Sequence, residues 1–268
     1  MEEIKEGRRL LEVKGLTKSF GGLAALQNVD LQIAEDEIVG LIGPNGAGKT
    51  TLLNIIAGNI RQDQGEIYFE ARNFKQLKPF ERCRLGIART YQTVRPFLDF
   101  SVEQNVMIGL RYGRGKNTLS GSDFYKKGQE ILELLGLEIK RHELTKNLTF
   151  ADRKLVEVAR ALATKPKLLL LDEVLSGLNP VELEKAVKLI KNISVSFGVT
   201  IIWVEHIMQA LLAICDRFVV LNYGIKLTEG RPAEVVADER VIEAYLGKMG
   251  KQLAEKIGHP VASMSEDI

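Results

Sequence analysis

The stretch that most restricts the fold is Glu37–Thr51, which reads Glu-Ile-Val-Gly-Leu-Ile-Gly-Pro-Asn-Gly-Ala-Gly-Lys-Thr-Thr. Its first part (Ile38, Val39, Leu41, Ile42) is a short apolar run of the kind that forms a buried strand. Glycines then open a turn, and the residues from Thr50 to Ala57 predict a helix. The turn fits G-x-x-x-x-G-K-S/T at Gly43, Gly48, Lys49 and Thr50. In such a turn the backbone N–H groups curl inward around an anion. The helix N-terminus behind it adds unpaired N–H groups and the positive end of its dipole. A glycine-rich turn that fits by chance has no reason to sit between a strand and a helix. The context therefore points to a phosphate cradle made by Gly43, Pro44, Asn45, Gly46, Ala47, Gly48, Lys49, Thr50 and Thr51. Lys49 is expected to reach the β- and γ-phosphates, and the Thr50 hydroxyl to ligate Mg²⁺.

Composition narrows the partners. The 268 residues carry 37 basic and 35 acidic side chains, a net charge of +2, which argues against a nucleic-acid footprint. Two cysteines, Cys83 and Cys215, make no disulfide framework, so a reducing compartment is expected. The first residues lack the apolar core of a signal peptide. No apolar run approaches the roughly 20 residues that a membrane helix needs.

Strands are expected at Leu10–Leu16, Val29–Ile33 and Gly65–Phe69, with Ser19–Gly22 as a turn. The Arg- and Lys-rich stretch 71–95 reads as the solvated face of a helix. Gly86–Gln92 reads as a strand ending in a glutamine. Val102–Leu110 and Phe124–Leu135 have helical spacing, and 111–123 reads as a Gly/Ser/basic loop. Thr149 and Asp152 form a helix start signal before Leu155, Val156, Val158, Ala159 and Leu162. Pro180 at N1, with Asn179 as cap, opens a helix to about Phe197. Phe218–Leu221 and Gly224–Thr228 suggest a hairpin, followed by short helices near Ala233–Ala237 and Arg240–Gly247. Apolar strands alternating with helices argue a largely parallel sheet covered on both faces.

Leu168–Leu171 and Thr200–Val204 are fully apolar strands, the first leading into Asp172-Glu173 and the second into Glu205-His206. Ligands bind at the C-terminal ends of strands in such sheets. Asp172 is expected to hold Mg²⁺, directly or through water, and Glu173 to act as general base or water-orienting group. An acidic turn without function remains the alternative for that pair taken alone. His206, ending a neighbouring strand, is placed to donate a hydrogen bond to the γ-phosphate.

Gly43–Thr51, Gln92, Leu148–Leu162, Leu168–Glu173, Ser176–Asn179 and His206 together resemble the ABC-type ATPases in order and spacing over about residues 9–247. The resemblance implies an α/β P-loop NTPase with a RecA-like core and an N-terminal antiparallel β region. It implies one ABC domain over 1–248, with a helical subdomain at about 95–160 and a polar tail at 249–268. It implies that ATP and Mg²⁺ are bound and that cassettes pair head to tail, each ATP closed by the partner's signature helix, here Thr149, Phe150, Ala151 and Asp152. Phe20 would stack on adenine, Gln92 would sense Mg²⁺ and couple to a membrane partner, and His206 would be the switch histidine. Ala88–Phe97, the 111–123 loop, Ser176–Pro180 and Arg240–Gly247 look like the ATP-binding subunits of branched-chain amino acid importers. In such importers two cassettes, identical or not, drive two permease subunits at the cytoplasmic face of the membrane, and a solute-binding protein delivers substrate.

The same subfamily includes relatives that move urea or other amides. Three departures stand out. The signature Leu-Ser-Gly-Gly-Gln is Leu148-Thr149-Phe150-Ala151-Asp152 here, Val174 replaces the usual proline, and Asn179 replaces a general aspartate. The first of these keeps open a nucleotide-holding cassette of low activity. A soluble ABC ATPase acting on ribosomes or DNA is disfavoured by the single cassette and the lack of a long coiled-coil insertion.

Overall fold

The computed structural model describes residues 8–115 and 121–245. The expected tail at 249–268, and residues 116–120 of the expected loop, lie outside them. Two sheets form the frame. The first is antiparallel, in the order β2-β1-β4-β5, from β1 (Arg9–Phe20), β2 (Leu23–Ala34), β4 (Gln64–Phe69) and β5 (Arg72–Asn73). Its opening hairpin turns at Gly21-Gly22, so Ser19 and Phe20 belong to β1 rather than to the turn. The second sheet has the order β10-β9-β3-β8-β7-β6. Its strands are β3 (Ile38–Ile42), β6 (Ile87–Arg89), β7 (Leu168–Asp172), β8 (Thr200–Val204), β9 (Arg217–Asn222) and β10 (Ile225–Gly230). All neighbours in it are parallel except the β9–β10 hairpin.

The alternation of side chains along a strand divides the core in two. Val39, Leu41, Leu168, Leu170, Ile202 and Val204 face the antiparallel sheet and α1 (Lys49–Ala57). Ile38, Ile42, Leu169, Leu171, Ile201 and Trp203 face the other way. There they meet α6 (Pro180–Phe197), α7 (Met208–Ile214) and the core of the helical layer. Burial on both sides is why these strands are apolar throughout.

The helical layer consists of α3 (Val102–Tyr112), α4 (Gly121–Leu134) and α5 (Phe150–Ala163). Val102, Val106, Ile131, Leu132, Val156 and Leu162 pack its interior. Buried Asn105 ties its entry, donating to Phe97 O, Ser101 O and Thr145 Oγ1 at 3.0 Å each. Two short helices, α8 (Pro232–Val236) and α9 (Glu239–Ala244), close the described chain. The α7 helix has no signal in the sequence pattern, since its N-cap position, Ile207, offers no side-chain cap.

Two expectations for 71–95 need correction. The strand over Gly86–Gln92 is only Ile87–Arg89. After Thr90 donates to Leu170 O (2.9 Å), the Tyr91 N–H leaves the sheet for the Glu157 carboxylate (3.3 Å). Nor are all the basic residues solvated. Arg72, Lys78 and Arg84 are exposed, but Arg82, on α2 (Pro79–Leu85), is 2% exposed. Its guanidinium donates to Ile55 O, Ile56 O, Leu77 O and Lys75 O, capping the C-terminus of α1. Burial lowers the Arg82 pKa to about 10. Truncating a buried group that satisfies several carbonyls costs their desolvation. Arg82→Ala should therefore destabilise the fold by roughly 2–4 kcal/mol, read as a lower urea midpoint with an unchanged m-value.

Candidate active site

The ends of β3, β6, β7 and β8 converge on one edge of the six-stranded sheet. Beyond β3 the chain makes its glycine-rich loop, and only glycine fits at two points. A Cβ on Gly43 (φ +148°) would lie 2.0 Å from Leu221 O, and one on Gly48 (φ +102°) would lie 2.5 Å from Ala25 O. Gly48 caps α1 without a side chain, which leaves the first N–H groups of the helix facing the loop. The hairpin behind holds the loop. Gly224 N–H donates to Ala47 O (3.1 Å), while Gln27 N–H donates to Gly224 O (2.8 Å).

Lys49 is 7% exposed and its ammonium donates to Gly43 O (2.7 Å) and Pro44 O (2.9 Å). Burial draws its pKa below the usual lysine value, against the pull of the Glu173 and Asp172 carboxylates. A flexible cation resting on two carbonyls of its own loop is poised to move to phosphate oxygens.

Asp172 ends β7 at 1% exposure. Arg89 Nη2 donates to its Oδ2 (2.8 Å), and Arg89 Nη1 donates to Asn54 Oδ1 (2.6 Å). Burial raises the Asp172 pKa, opposed by Arg89. Its other oxygen, Oδ1, is buried without a hydrogen-bond partner. Thr50, Gln92 and Asp172 line one cavity of about 330 Å³. An orphaned carboxylate oxygen beside a hydroxyl and an amide oxygen is a hard-donor set that fits Mg²⁺ with part of its water shell.

Glu173 follows in the left-handed region (φ +52°), its N–H donating to Val204 O at 2.9 Å. That conformation costs a residue with a Cβ about 1–2 kcal/mol. It turns the side chain out of the strand register and between two partners. Gln92 Nε2 donates to Oε2 (2.7 Å), and His206 Nε2 donates to Oε1 (2.8 Å). The His206 tautomer follows from the carboxylate, which offers only acceptors.

Lys154, Glu205 and Arg89 hold this group together, although the sequence reading assigned them no part. Lys154 Nζ donates to Ser176 O (2.6 Å) and Glu173 O (3.3 Å). Glu205 accepts from Leu175 N–H (2.6 Å) and His206 N–H (3.3 Å), and burial raises its pKa. The available signal was a charge inside an otherwise apolar pattern, as at Lys154 in α5 and Glu205 after β8.

The other expected residues lie apart from this cluster. Phe20 is 47% exposed on the first hairpin, with the Lys18 ammonium 5.3 Å from its ring. Thr149 caps α5, accepting from Asp152 N–H (3.1 Å) and donating to Asp152 Oδ2 (2.7 Å), which also pairs with Lys140 (2.6 Å). Burial pushes the Asp152 carboxyl up, but the Lys140 and Thr149 hydrogen bonds outweigh it and leave the pKa lowered. Phe150 is 56% exposed, under the Lys154 ammonium at 5.1 Å and next to Gly177. Asn179 caps α6 through Val181 N–H and Glu182 N–H, both at 3.0 Å.

Residues 26–176 match the family described as ABC transporter. The chain is 37% identical over 250 residues to a high-affinity branched-chain amino acid transport ATP-binding protein, LivG, of Salmonella typhimurium, covering 89% of this chain and 98% of that one. The chain belongs to the ABC transporter ATP-binding family. Residues 226–250 of this cassette also match a family described as branched-chain amino acid ATP-binding cassette transporter. BraF of Pseudomonas aeruginosa, named for the same transport, is 34% identical over 90% of the cassette and 99% of its own length. Among solved structures, an ABC transporter cassette in its ADP conformation superposes with a TM-score of 0.80 at 30% identity, over 90% of this chain and 99% of that one. A dimeric cassette bound to ADP and phosphate after hydrolysis gives 0.75 at 27% identity, over 83% and 99%. The expected α/β P-loop fold with an N-terminal antiparallel region is thus the fold found. Family members hydrolyse ATP to power transport, so this cassette is an ATPase. No helix among the described residues is long and apolar enough to cross a membrane.

Proposed function

We propose that this cassette binds MgATP on Gly43–Thr51 and hydrolyses it to drive import of branched-chain amino acids. Lys49 exchanges its two loop carbonyls for β- and γ-phosphate oxygens. Thr50, Asp172 and Gln92 would hold Mg²⁺, which would supply charge neutralisation on the phosphates. Water attacks the γ-phosphorus, the bond to the ADP oxygen breaks, and Glu173 takes the proton. His206 turns its N–H from Glu173 to a γ-phosphate oxygen. Phe20 stacks on adenine, and Thr149, Phe150, Ala151 and Asp152 close the nucleotide of a second cassette.

Permease subunits dock where β6 ends against the helical layer. A cavity of about 450 Å³ opens there, lined by Phe80, Tyr91, Arg95, Phe97, Tyr112 and Arg160. Phe80, Phe97 and Tyr112 are 54%, 46% and 60% exposed. Aromatic and arginine side chains grouped in this way are typical of interface cores. The cassette then sits at the cytoplasmic face of the membrane, and a solute-binding protein supplies substrate from the other side.

The match over 226–250 is the observation that carries the substrate. The test is uptake by vesicles reconstituted with the cassette, its permeases, its second cassette and the binding protein. ATP-dependent accumulation of leucine, isoleucine and valine is expected. Accumulation of urea without leucine would move the assignment to the amide transporters. Phe150 and Ala151, in place of signature glycines, favour a second reading, a cassette that closes its partner's ATP poorly.

A further inference from the structure

The five residues around Gln92 are held at their start by Asn59, which donates to the Tyr91 hydroxyl (3.2 Å), and by one buried carboxylate. Glu157, on α5, is 3% exposed. Its Oε1 accepts from Tyr91 N–H (3.3 Å), and the Arg95 N–H faces the same carboxylate closely enough to favour its charged form. The span Tyr91–Arg95 begins just beyond the end of β6 and passes the same carboxylate again at Arg95. Gln92, inside the span, reaches Glu173 Oε2 at 2.7 Å. Two hydrogen bonds joined by the Tyr91–Gln92 peptide therefore connect Glu157 on α5 to the Glu173 carboxylate.

Packing alone does not account for an acid at this position. The neighbours of Glu157 on α5 include Val156, Val158, Ala159 and Ala161, all buried. A buried carboxylate among them costs free energy that a leucine would not. Burial pushes the Glu157 pKa to about 7, opposed by Arg160 on the same helix and by the Tyr91 and Arg95 N–H groups and the Arg95 charge. The acid stays because the Tyr91 N–H, just past the end of β6, needs an acceptor, and carboxylate oxygens are the strongest available.

We infer that Glu157 is a positioning residue, fastening the span that carries Gln92 to α5 so that the placement of α5 sets how Gln92 meets Glu173. This rests on the ATPase reading above for its catalytic consequence, but not for its geometry. The experiment uses the full chain with Glu157→Ala, Glu157→Leu and Glu157→Gln. Hydrogen exchange is followed by mass spectrometry over 90–97, with 49–57 as the internal control. Nucleotide affinity and kcat are measured on the same preparations.

Alanine and leucine, which cannot accept, should raise exchange over 90–97 about tenfold and leave 49–57 unchanged. They should lower kcat about tenfold or more, as small misplacements of a catalytic group do, with the nucleotide Kd unmoved. Glutamine keeps an acceptor oxygen and should restore both exchange and kcat. Unchanged exchange in both non-accepting variants overturns the inference, and so does normal kcat with raised exchange. Joint loss of affinity and kcat, or loss of the fold in both, shows a structural role and overturns it too. A transporter that fails to move leucine while 90–97 responds as expected would refute the substrate assignment and leave this inference standing.

Discussion

Glu173→Gln should bind ATP normally and release phosphate roughly 10²–10⁴ times more slowly, the usual contribution of a positioned acid or base. The fold should tolerate the change. In the native site both oxygens accept, one from Gln92 and one from His206. A glutamine offers one acceptor and one donor in the same shape. Its oxygen can keep the Gln92 bond, while His206 shifts its proton to Nδ1 and accepts from the new amide. Nothing in the binding loop is touched, so ATP should remain bound and dimers should persist through gel filtration. A collapse of ATP affinity instead would make Glu173 a binding group.

The same substitution tests whether paired sites are unequal. Phe150 and Ala151 each carry a Cβ where the family signature has glycines, and Phe150 stands exposed against Gly177. The Thr149 cap leaves the start of α5 intact, so the loss is in close approach to a partner's γ-phosphate rather than in the helix. With a partner cassette bearing an intact signature, Glu173→Gln should remove most of the ATPase activity. The equivalent change in the partner should remove little. Equal losses, or the reverse order, would refute the asymmetry.

Lys49→Ala should abolish turnover. The ammonium is the mobile cation of the loop, and losing one preorganised contact of this kind costs roughly 3–4 kcal/mol of transition-state stabilisation. The ground state is less affected, because the backbone N–H groups of the loop and the open start of α1 remain. The Gly43 and Pro44 carbonyls, buried and part-buried, lose their donor. Phosphate release at background level, with a folded protein by circular dichroism, is the expected result. Near-normal release would refute the role given to Lys49.

The central strands and the phosphate loop were legible in the sequence because each is a local pattern. Ile38–Ile42, Leu168–Asp172 and Thr200–Val204 are buried on both faces, and a run of apolar residues records that directly. The caps at Thr149 and Asn179 are equally local. What escaped depends on partners distant in the chain. Arg82 is buried because the Ile55 and Ile56 carbonyls at the end of α1 accept from its Nη1, the second at 3.0 Å, and Arg89 because Asp172 and Asn54 converge on it. As text, both look like any other surface arginine. The strand after Gly86 stops early for the same kind of reason, since Glu157 on α5 takes the next N–H group. Charge counted along a segment cannot distinguish a solvated face from a buried clamp.

The hairpin turn at Tyr223-Gly224 has a consequence for anyone altering this protein. Tyr223 is 81% exposed and stands at a loop tip, the kind of place chosen for a tag, a label or an inserted domain. Yet its neighbour bonds directly to the phosphate loop, and a Cβ on Gly224 would lie 2.8 Å from Ala25 O. An insertion there would pull on Ala47 and Gln27 together, so its first symptom would be weakened nucleotide binding rather than a lower melting temperature. Solvent accessibility is a poor guide to permissive sites where an outer turn serves as the back wall of an inner loop.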